Sequence, residues 1–424
     1  MILQPLIREN GITDTELTLA LHKPLAGKAL KKVLLLPPDA TRSHSYAGKI
    51  TKLYYELLGE SGCQVDVMPA LGTHEPMSEK ECAHFLGVPF SSLIVHNWRD
   101  GVVSLGEVPA ALVTEVSEGL MTEPIPVEVN RCLLDSSYDL ILSIGQVVPH
   151  EVVGMANYSK NVFVGCGGSG MINSSHMLGA FYGIERVLGR ADTPVRRVFD
   201  YAEEHFIANL PLVYVLTVTT QSEAGTVLNG LFIGRGRDLF DEAARLSREK
   251  NLTLLDKPLK KAVVWLDCEE FKSTWLGNKA IYRTRMAMAD GGELIVIGPG
   301  VRRFGEDGAV DTLIRKYGYV GRARILEKVE KNEDLRQNLS AAAHLIQGSS
   351  DGRFTITYAP GKLTQAEIES VNFRYLPLKE ALTLYDPTKL KDGYNTLKRP
   401  NGTEEEIFYI SNPALGLWAD KAKF

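Results

Sequence analysis

The chain has 424 residues, of which 44% are hydrophobic and 23% charged, and a formal net charge of -5. It is too long for one ordinary domain, and its composition excludes a disordered or fibrous protein. The slight negative charge disfavours nucleic acid as a partner, because phosphate binding requires a basic patch and none stands out. We therefore expect a small-molecule substrate.

Cysteine usage and the N-terminal residues indicate the compartment. The five cysteines stand singly and form no C-x-x-C pair, which argues against a zinc site or a disulfide framework and favours a reducing environment. The opening MILQPLIREN lacks the segments of a signal peptide, and no apolar stretch reaches the length of a membrane span. The sequence predicts a cytoplasmic protein without a membrane partner.

Apolar runs and amphipathic stretches alternate through the first 250 residues, which predicts an α/β fold with a mostly parallel sheet. The face formed by Tyr46, Ile50, Leu53 and Leu57 predicts a helix over 46–58. Ser78 and Glu81 have the spacing of a capping box, so a second helix is expected to begin there. The predicted strands are, in chain order, 33–38, 65–70, 93–96, 140–145, 161–165, 212–220 and 228–234.

The second part of the chain repeats this α/β pattern after a polar segment, NLTLLDKPLKK. We place the domain boundary between residues 257 and 258. The sequence therefore predicts two α/β domains, 1–257 and 258–424, the first with a Rossmann-like sheet. The expected elements of the second domain are strands at 262–270, 293–300 and 354–360 and helices near 278–289, 322–346 and 364–370.

Five of the predicted strands end in polar stretches, and ligands of open parallel sheets bind beyond the carboxyl ends of the strands. We expect Asp39, Arg42 and His44 to line a cleft shared with residues far away in sequence. Each has a structural alternative, since Asp39 and Arg42 could form a surface ion pair and His44 could cap the next helix. The polar stretches are DATR (39–42), GTHE (72–75), HNWRD (96–100), QVVPHE (146–151) and GCGGSG (165–170).

The residue types in these stretches suggest two reaction classes. His96 and His150 suit acid-base chemistry near neutral pH, His176 suits a divalent metal, and Arg42 could hold a carboxylate in bidentate fashion. Two bases on opposite sides of a carboxylate-bearing carbon would suit a racemase. Because GCGGSG also fits G-x-G-x-x-G when counted from Gly165, an NAD-dependent 2-hydroxy acid dehydrogenase is the alternative.

Taken in order, these motifs resemble the nickel-dependent lactate racemase family. In the longest resembling stretch, His150, Lys160 and His176 lie at the spacing of that family. The second half resembles it faintly, through WLGNK (275–279). That longest stretch is PHEVVGMANYSKNVFVGCGGSGMINSSH (149–176). The other resembling pieces are DATR, ALGTHEPM (70–77) and HNWRD.

The resemblance implies a nickel-pincer nucleotide, pyridinium-3-thioamide-5-thiocarboxylic acid mononucleotide carrying nickel, which separate cofactor-biosynthesis proteins make. Lys160 matches the lysine that carries this cofactor through a thioamide, and His176 matches the nickel ligand. His96 and His150 match the two acid-base groups, and Asp39 is placed to orient His96 or to offset the charge of Arg42. Substrate contacts are implied for Arg42, Lys279, Asp39 and Trp275, and cofactor contacts for Gly165, Gly167, Gly168, Gly170, Thr41 and His74.

The implied function is a racemase or epimerase that inverts C2 of a 2-hydroxy acid by transient hydride transfer to the cofactor. Residues 1–257 would bind the cofactor and carry catalysis, and residues 258–424 would close the substrate cleft between the domains. A non-catalytic carrier of cofactor or nickel is a third hypothesis. The chain departs from the family at 43–45, 157–159 and 275–276, which favours a substrate other than lactate.

Overall fold

The computed structural model of this protein describes residues 3–222, 225–399, 402–414 and 416–424. The chain forms two compact units. The first comprises Met1–Tyr182 and Arg186–Asn251, and the second comprises Gly183–Glu185 and Leu252–Phe424. The roles assigned above to residues 1–257 and 258–424 stay predictions.

The first unit is built on a six-stranded sheet. Its strands, with those of two short ribbons, are in chain order β1 (Leu6–Ile7), β2 (Lys32–Leu36), β3 (Gln64–Val67), β4 (Val102–Val108), β5 (Ile125–Asn130), β6 (Leu140–Gln146), β7 (Pro149–His150), β8 (Gly154–Met155), β9 (Leu212–Ser222) and β10 (Gly225–Gly234). The sheet has the order β1-β10-β9-β6-β2-β3. Its pairs from β3 to β9 are parallel, and β10 and β1 are added antiparallel. The predicted α/β fold with a mostly parallel sheet is confirmed.

Helices surround this sheet. The α-helices of the first unit are α1 (Asp14–His22), α2 (Ala47–Glu60), α3 (Glu79–Glu81), α4 (Ala110–Val116), α5 (Ser169–Tyr182), α6 (Ile184–Val187, which begins in the second unit), α7 (Pro194–Phe206) and α8 (Arg237–Asn251). Shorter turns of other helix types are Ala40–Ser45, Cys82–Leu86, Phe90–Ser92, Arg131–Leu134 and Asn161–Gly165. The capping box of Ser78 and Glu81 is present at the start of α3, as predicted.

The apolar run of β2 explains why both faces of the sheet are covered. Leu34 and Leu36 belong to one hydrophobic core, while Val33 and Leu35 belong to the core on the opposite face. Side chains alternate between the faces of a strand, so a continuous apolar run is the pattern of a strand buried on both sides. The polar residues that follow β2 are thereby brought to the carboxyl edge of the sheet.

Two of the predicted strands are absent. Residues 93–96 contribute only one isolated bridge, between Val67 and Leu93. Residues 161–165 form a buried π-helical turn. A short apolar run has the same periodicity in a buried strand and in a buried helical turn, so the sequence pattern does not distinguish them. The ribbon of β4 and β5 was not predicted.

The second unit has its own six-stranded sheet. Its strands, with a separate parallel pair formed by the first and the last, are β11 (Leu252–Leu255), β12 (Leu259–Trp265), β13 (Met288–Gly298), β14 (Thr355–Pro360), β15 (Arg374–Tyr375), β16 (Gly393–Lys398), β17 (Glu404–Ile410) and β18 (Leu417–Asp420). The sheet order is β15-β14-β13-β12-β17-β16, and only β16 is antiparallel to its neighbour.

The helices of the second unit differ from the prediction in length. They are α9 (Thr274–Gly277), α10 (Lys279–Tyr282), α11 (Gly308–Tyr317), α12 (Arg322–Lys331), α13 (Glu333–Arg336), α14 (Leu339–Gln347), α15 (Gln365–Ser370) and α16 (Leu378–Leu384). The single helix predicted over 322–346 is three helices, because Asn332 and Asn338 take non-helical backbone angles. In the described part of the chain no helix combines the length and the apolar character needed to cross a membrane.

Candidate active site

Asp39 lies directly after β2 and joins two loops at the carboxyl edge of the first sheet. Its Oδ1 accepts hydrogen bonds from the backbone N–H and the hydroxyl of Thr41 at 3.0 and 2.5 Å, and its Oδ2 lies 2.5 Å from Nδ1 of His74. Burial alone would raise the pKa of Asp39, but His74, Thr41 and the charge of Arg42 together lower it to about 2. Asp39 thus bonds His74 and not His96, whereas the other suggested role, to offset the charge of Arg42, agrees with the electrostatic effect of Arg42 on Asp39.

Arg42 and His44 follow in the short helix Ala40–Ser45. Within the described residues the guanidinium of Arg42 has no hydrogen bond or ion pair, because Thr41 and His74 occupy the Asp39 oxygens. The N-cap residue of α2 is Tyr46, and the hydroxyl of Ser45 accepts the backbone N–H of Ala47 at 3.2 Å, while a capping role for His44 stays a prediction. Arg42 is thus available to an anionic group.

Lys160 follows an irregular buried segment, 155–159, that runs close to the sheet. Asn157 and Tyr158 both have left-handed backbone conformations, with φ of 62° and 56°. The side chain of Asn161 donates to the carbonyl of Leu36 at 3.0 Å and to the hydroxyl of Ser143 at 2.9 Å. These two bonds attach the Lys160 segment to the parallel strands β2 and β6.

The environment of Lys160 favours its neutral amine. Burial lowers the pKa of Lys160 from 10.5 to about 7, and the charge of Arg42 lowers it further, while Glu151 and Asp39 each oppose the shift by less. An amine that is largely neutral near pH 7 is a competent nucleophile. The structure therefore brings Lys160, Arg42 and Asp39 together from separate parts of the sequence, and it adds Glu151, to which no role had been assigned.

His176 lies on α5 in the state that a metal ligand requires. Its Nδ1–H donates to the carbonyl of Ile172 at 2.7 Å, which leaves the lone pair on Nε2. Burial and then the charge of Lys160 lower the pKa of His176 to about 4. In the described residues no group of three or more His, Cys, Asp or Glu side chains could hold a metal ion. The donor set fits a metal that takes one protein ligand and its other donors from a bound group.

His96 is 3% exposed and uses both ring nitrogens within the protein. The amide of Asn130 donates to Nδ1 at 3.0 Å, and Nε2 donates to the carbonyl of Gly167 at 3.1 Å. Asn130 is itself fixed, because its oxygen accepts the backbone N–H of Cys132 at 3.0 Å. Burial lowers the pKa of His96 to about 4, against the opposing hydrogen bond to Gly167. No sequence pattern had pointed to Asn130, which lies at the end of the unpredicted β5.

His150 ends the short strand β7 and is buried. The backbone N–H of Val152 donates to its Nδ1 at 3.1 Å, so the neutral ring carries its proton on Nε2. The carboxylate of Glu151 lies 3.7 Å from the same Nδ1. Glu151 also acts electrostatically on Lys160 and His176, and His150 thus adjoins the Lys160 cluster through its neighbour.

The glycines of GCGGSG pack against the protein itself. A Cβ on Gly167 would lie 1.9 Å from the carbonyl oxygen of Phe163, and one on Gly168 would lie 2.4 Å from the Glu128 carboxylate. Gly165 and Gly170 are similarly crowded, by Ala70 and Pro126. The carboxylate of Glu128 accepts the backbone N–H of Gly170 at 2.8 Å, at the start of α5. A carboxylate already occupies the position where a dinucleotide phosphate would bind.

The other predicted substrate residues, Trp275 and Lys279, belong to the second unit. Trp275 stacks on His344 with ring centroids 4.3 Å apart, and Nε2 of His344 lies 3.0 Å from the hydroxyl of Tyr319. Nζ of Lys279 lies 4.0 Å from the carboxylate of Glu270. The sequence did not single out His344 or Glu270, which support these two residues.

Comparisons with known proteins find a similar sequence domain and similar structures. Residues 13–186 match the family model described as the lactate racemase N-terminal domain. A structural-genomics target from Thermotoga maritima has a similar structure, with a TM-score of 0.80 and 26% identity over 91% of this chain and 94% of that chain. The search of curated proteins returned no match.

A second similar structure is the lactate racemase apoprotein from Thermoanaerobacterium thermosaccharolyticum. Its TM-score is 0.66 with 16% identity, over 97% of this chain and 90% of that chain, and at this identity the likeness is one of fold. The matched family domain covers Asp39, His96, His150, Lys160 and His176. In residues 13–186, the chain is thus similar to the N-terminal domain of lactate racemase.

Proposed function

We propose that this protein is a racemase or epimerase that inverts C2 of a 2-hydroxy acid with a nickel-pincer nucleotide attached to Lys160. The match of residues 13–186 to the lactate racemase N-terminal domain supports racemase or epimerase activity in general. The observation that carries the finer proposal is the pair of Lys160 and His176, which are electrostatic neighbours in the states that the cofactor needs. One offers a largely neutral amine and the other an unprotonated Nε2.

Each member of this pair would hold a different part of the cofactor. Lys160 would carry the covalent linkage, and His176 would bind nickel through Nε2 while Ile172 fixes the other side of the ring. When bound, the cofactor supplies a centre that accepts the C2 hydride of the substrate and returns it to either face.

The two remaining histidines would move the proton of the substrate hydroxyl. For His150 to accept a proton at Nε2, its neutral ring must first hold its proton on Nδ1, and Glu151 at 3.7 Å is the acceptor at hand. For His96, the bond from Nε2 to the Gly167 carbonyl must break as the substrate binds, and the ring proton must move to Nδ1 in place of the bond from Asn130. Each ring would then act as base in one direction and acid in the other.

Arg42 would bind the substrate carboxylate, since its guanidinium has no partner of its own within the described chain. A carboxylate-binding role for Lys279 and a substrate contact for Trp275 stay predictions. Ser43, His44 and Ser45 add polar groups beside Arg42, which favours a more polar 2-hydroxy acid than lactate. A cytoplasmic location and delivery of the cofactor by its biosynthesis proteins complete the proposal.

Glu128 argues against the dehydrogenase alternative. A nucleotide phosphate at the start of α5 would meet a carboxylate that already accepts the N–H groups of Gly170 and Met171 at 2.8 and 3.4 Å. Cofactor contacts for the four glycines remain a proposal, because packing against the protein accounts for their size. A non-catalytic carrier would leave the buried His96 and His150 without a use.

The deciding experiment is intact-protein mass spectrometry after co-expression with the cofactor-biosynthesis proteins, with nickel measured on the same sample. We expect an adduct on Lys160 and about one nickel per chain, and neither in Lys160→Ala. Loaded protein should invert C2 of a polar 2-hydroxy acid faster than that of lactate. An unmodified chain without nickel, from a host that loads a known lactate racemase, would contradict the proposal.

A further inference from the structure

Arg196 is a fully buried arginine beside the segment that leads to Lys160. It lies in the first turn of α7 and is 0% exposed. Its guanidinium donates to the carbonyls of Met155 and Asn157 at 2.7 and 3.2 Å and to the hydroxyl of Ser159 at 2.7 Å. One side chain therefore contacts three of the five residues that precede Lys160.

The segment requires such a donor because it is buried and irregular. Residues 155–159 are all buried, and the left-handed conformations of Asn157 and Tyr158 interrupt regular bonding between the end of β8 and Lys160. Buried carbonyls without a donor cost free energy. The residue that caps the same helix assists, since the hydroxyl of Thr193 donates to the carbonyl of Val153 at 3.1 Å.

The charge of Asp200 acts on Arg196 but offsets its burial only in part. Its neighbour Asp200 is in ion contact with Arg237, and within the described residues Arg196 forms no ion pair. The guanidinium instead lies over the ring of Phe240 at 4.2 Å. A buried charge without a direct ion pair is costly, and the hydrogen bonds to three oxygens of residues 155–159 compensate Arg196 for this burial.

We propose that Arg196 is a positioning residue for cofactor attachment: it fixes residues 155–159 so that the side chain of Lys160 is held where the cofactor is attached. The proposal rests on the proposed function, because it concerns the same lysine. Arg196 also contributes a positive charge near Lys160, which favours the neutral amine.

The test measures how Lys160 reacts with an N-hydroxysuccinimide ester in unloaded protein at pH 7 and pH 9, by peptide mass spectrometry. With a pKa of about 7, the rate at Lys160 should rise only about twofold between these pH values, whereas that of an ordinary exposed lysine rises about 100-fold. For each lysine, the ratio of the rate at pH 9 to the rate at pH 7 cancels differences in access of the reagent. We expect Arg196→Met to raise this ratio at least about fivefold and to lower the fraction of co-expressed chains that carry the adduct by a similar factor.

Three further variants separate positioning from general stability. Arg283→Met removes another buried arginine, which donates to the carbonyl of Gly416 at 2.8 Å in the second unit, and should leave both readouts unchanged. Arg196→Lys keeps the charge but cannot reach three acceptors, and Ser159→Ala removes one acceptor. Both should change the readouts in the same direction as Arg196→Met, by less.

The proposal is overturned if folded Arg196→Met keeps the pH ratio and the adduct fraction within twofold of the wild type. If Arg196→Met does not fold, unchanged readouts in both Ser159→Ala and Arg196→Lys overturn it instead. A wild-type chain that takes no adduct would contradict the proposed function, and the pH ratio of the unloaded protein would still decide the role of Arg196.

Discussion

His176 and His96 are both buried histidines, but their surroundings differ in the hydrogen bonds that they make to the ring nitrogens. Burial lowers the pKa of both histidines to about 4, so both are neutral near pH 7. His176 donates one ring N–H to Ile172 and keeps a lone pair on Nε2, whereas His96 has both nitrogens bonded within the protein. The difference teaches that burial alone does not assign a histidine, and that the partner of each nitrogen does.

Replacing the two histidines separately should give the largest contrast. We expect His176→Ala to lower nickel from about one per chain to less than about a tenth, because it removes the protein ligand. His96→Ala should keep the nickel and lower the racemisation rate by about 10²- to 10⁴-fold, the usual contribution of an acid-base group. Metal analysis of co-expressed protein and a rate assay on the same samples provide both numbers.

Equal nickel contents in the two variants would break the comparison. If both kept their nickel, His176 would not be the ligand. If both lost it, the loops around His96 would support the metal site in a way that the bond to Gly167 does not suggest. Circular dichroism of each variant controls for loss of folding.

The residues around Lys160 were easier to predict from the sequence than the residues around His96. Asp39 and Arg42 follow an apolar run that forms β2, and His150 lies shortly after β6, so all three follow the carboxyl ends of parallel strands, where the sequence had located them. What the rule could not predict was pairing. Asp39 bonds His74 and not His96, because pairing depends on how two loops fold against each other.

The region around His96 was hidden by local ambiguity. The apolar run before His96 is not a strand, and the run at 161–165 is a helical turn. The polar residues that follow these two runs therefore do not lie at the end of a strand, as had been predicted. Asn130 stands on a ribbon with no clear sequence pattern. The glycines near Gly167 resembled a phosphate loop in sequence. In the structure, glycine is required there because a Cβ would clash with Phe163 or Glu128.

The lowered pKa of Lys160 predicts an effect on stability at higher pH than the titration of His96 can produce. Between about pH 7 and pH 10.5 the unfolded chain binds a proton at Lys160 that the folded chain does not, so stability rises with pH across this window. Lys160→Met removes the effect. We expect this variant to be more stable than the wild type at pH 7 by about 2–4 kcal/mol, a difference that shrinks towards pH 10.

Urea unfolding of unloaded protein at several pH values measures this difference. Lys80→Met, which replaces an exposed lysine of α3, is the matched control and should reproduce the wild-type curve. Parallel stability curves for the wild type and Lys160→Met would mean that Lys160 is charged in the folded protein. The cluster would then lack its nucleophile.

The smallest effect should come from the bond between Asp39 and His74. The folded pKa of Asp39 is depressed from 3.8 to about 2, so its contribution is complete above pH 3.8 and is lost as the pH falls through 2. We expect Asp39→Asn to cost about 2 kcal/mol at pH 7 and progressively less between pH 4 and pH 2. Urea unfolding across this range measures the cost, with the exposed Asp14→Asn as the matched control.

A double-mutant cycle with His74→Ala then separates the two partners. If the contact of 2.5 Å is the source of the effect, the double variant should cost little more than either single variant. Additive costs would mean that Thr41 and the helix start hold Asp39, and that His74 is free to serve the cofactor instead. The cycle therefore decides whether the contact between Asp39 and His74 joins the loops after β2 and β3, or whether the bonds to Thr41 hold Asp39 without His74.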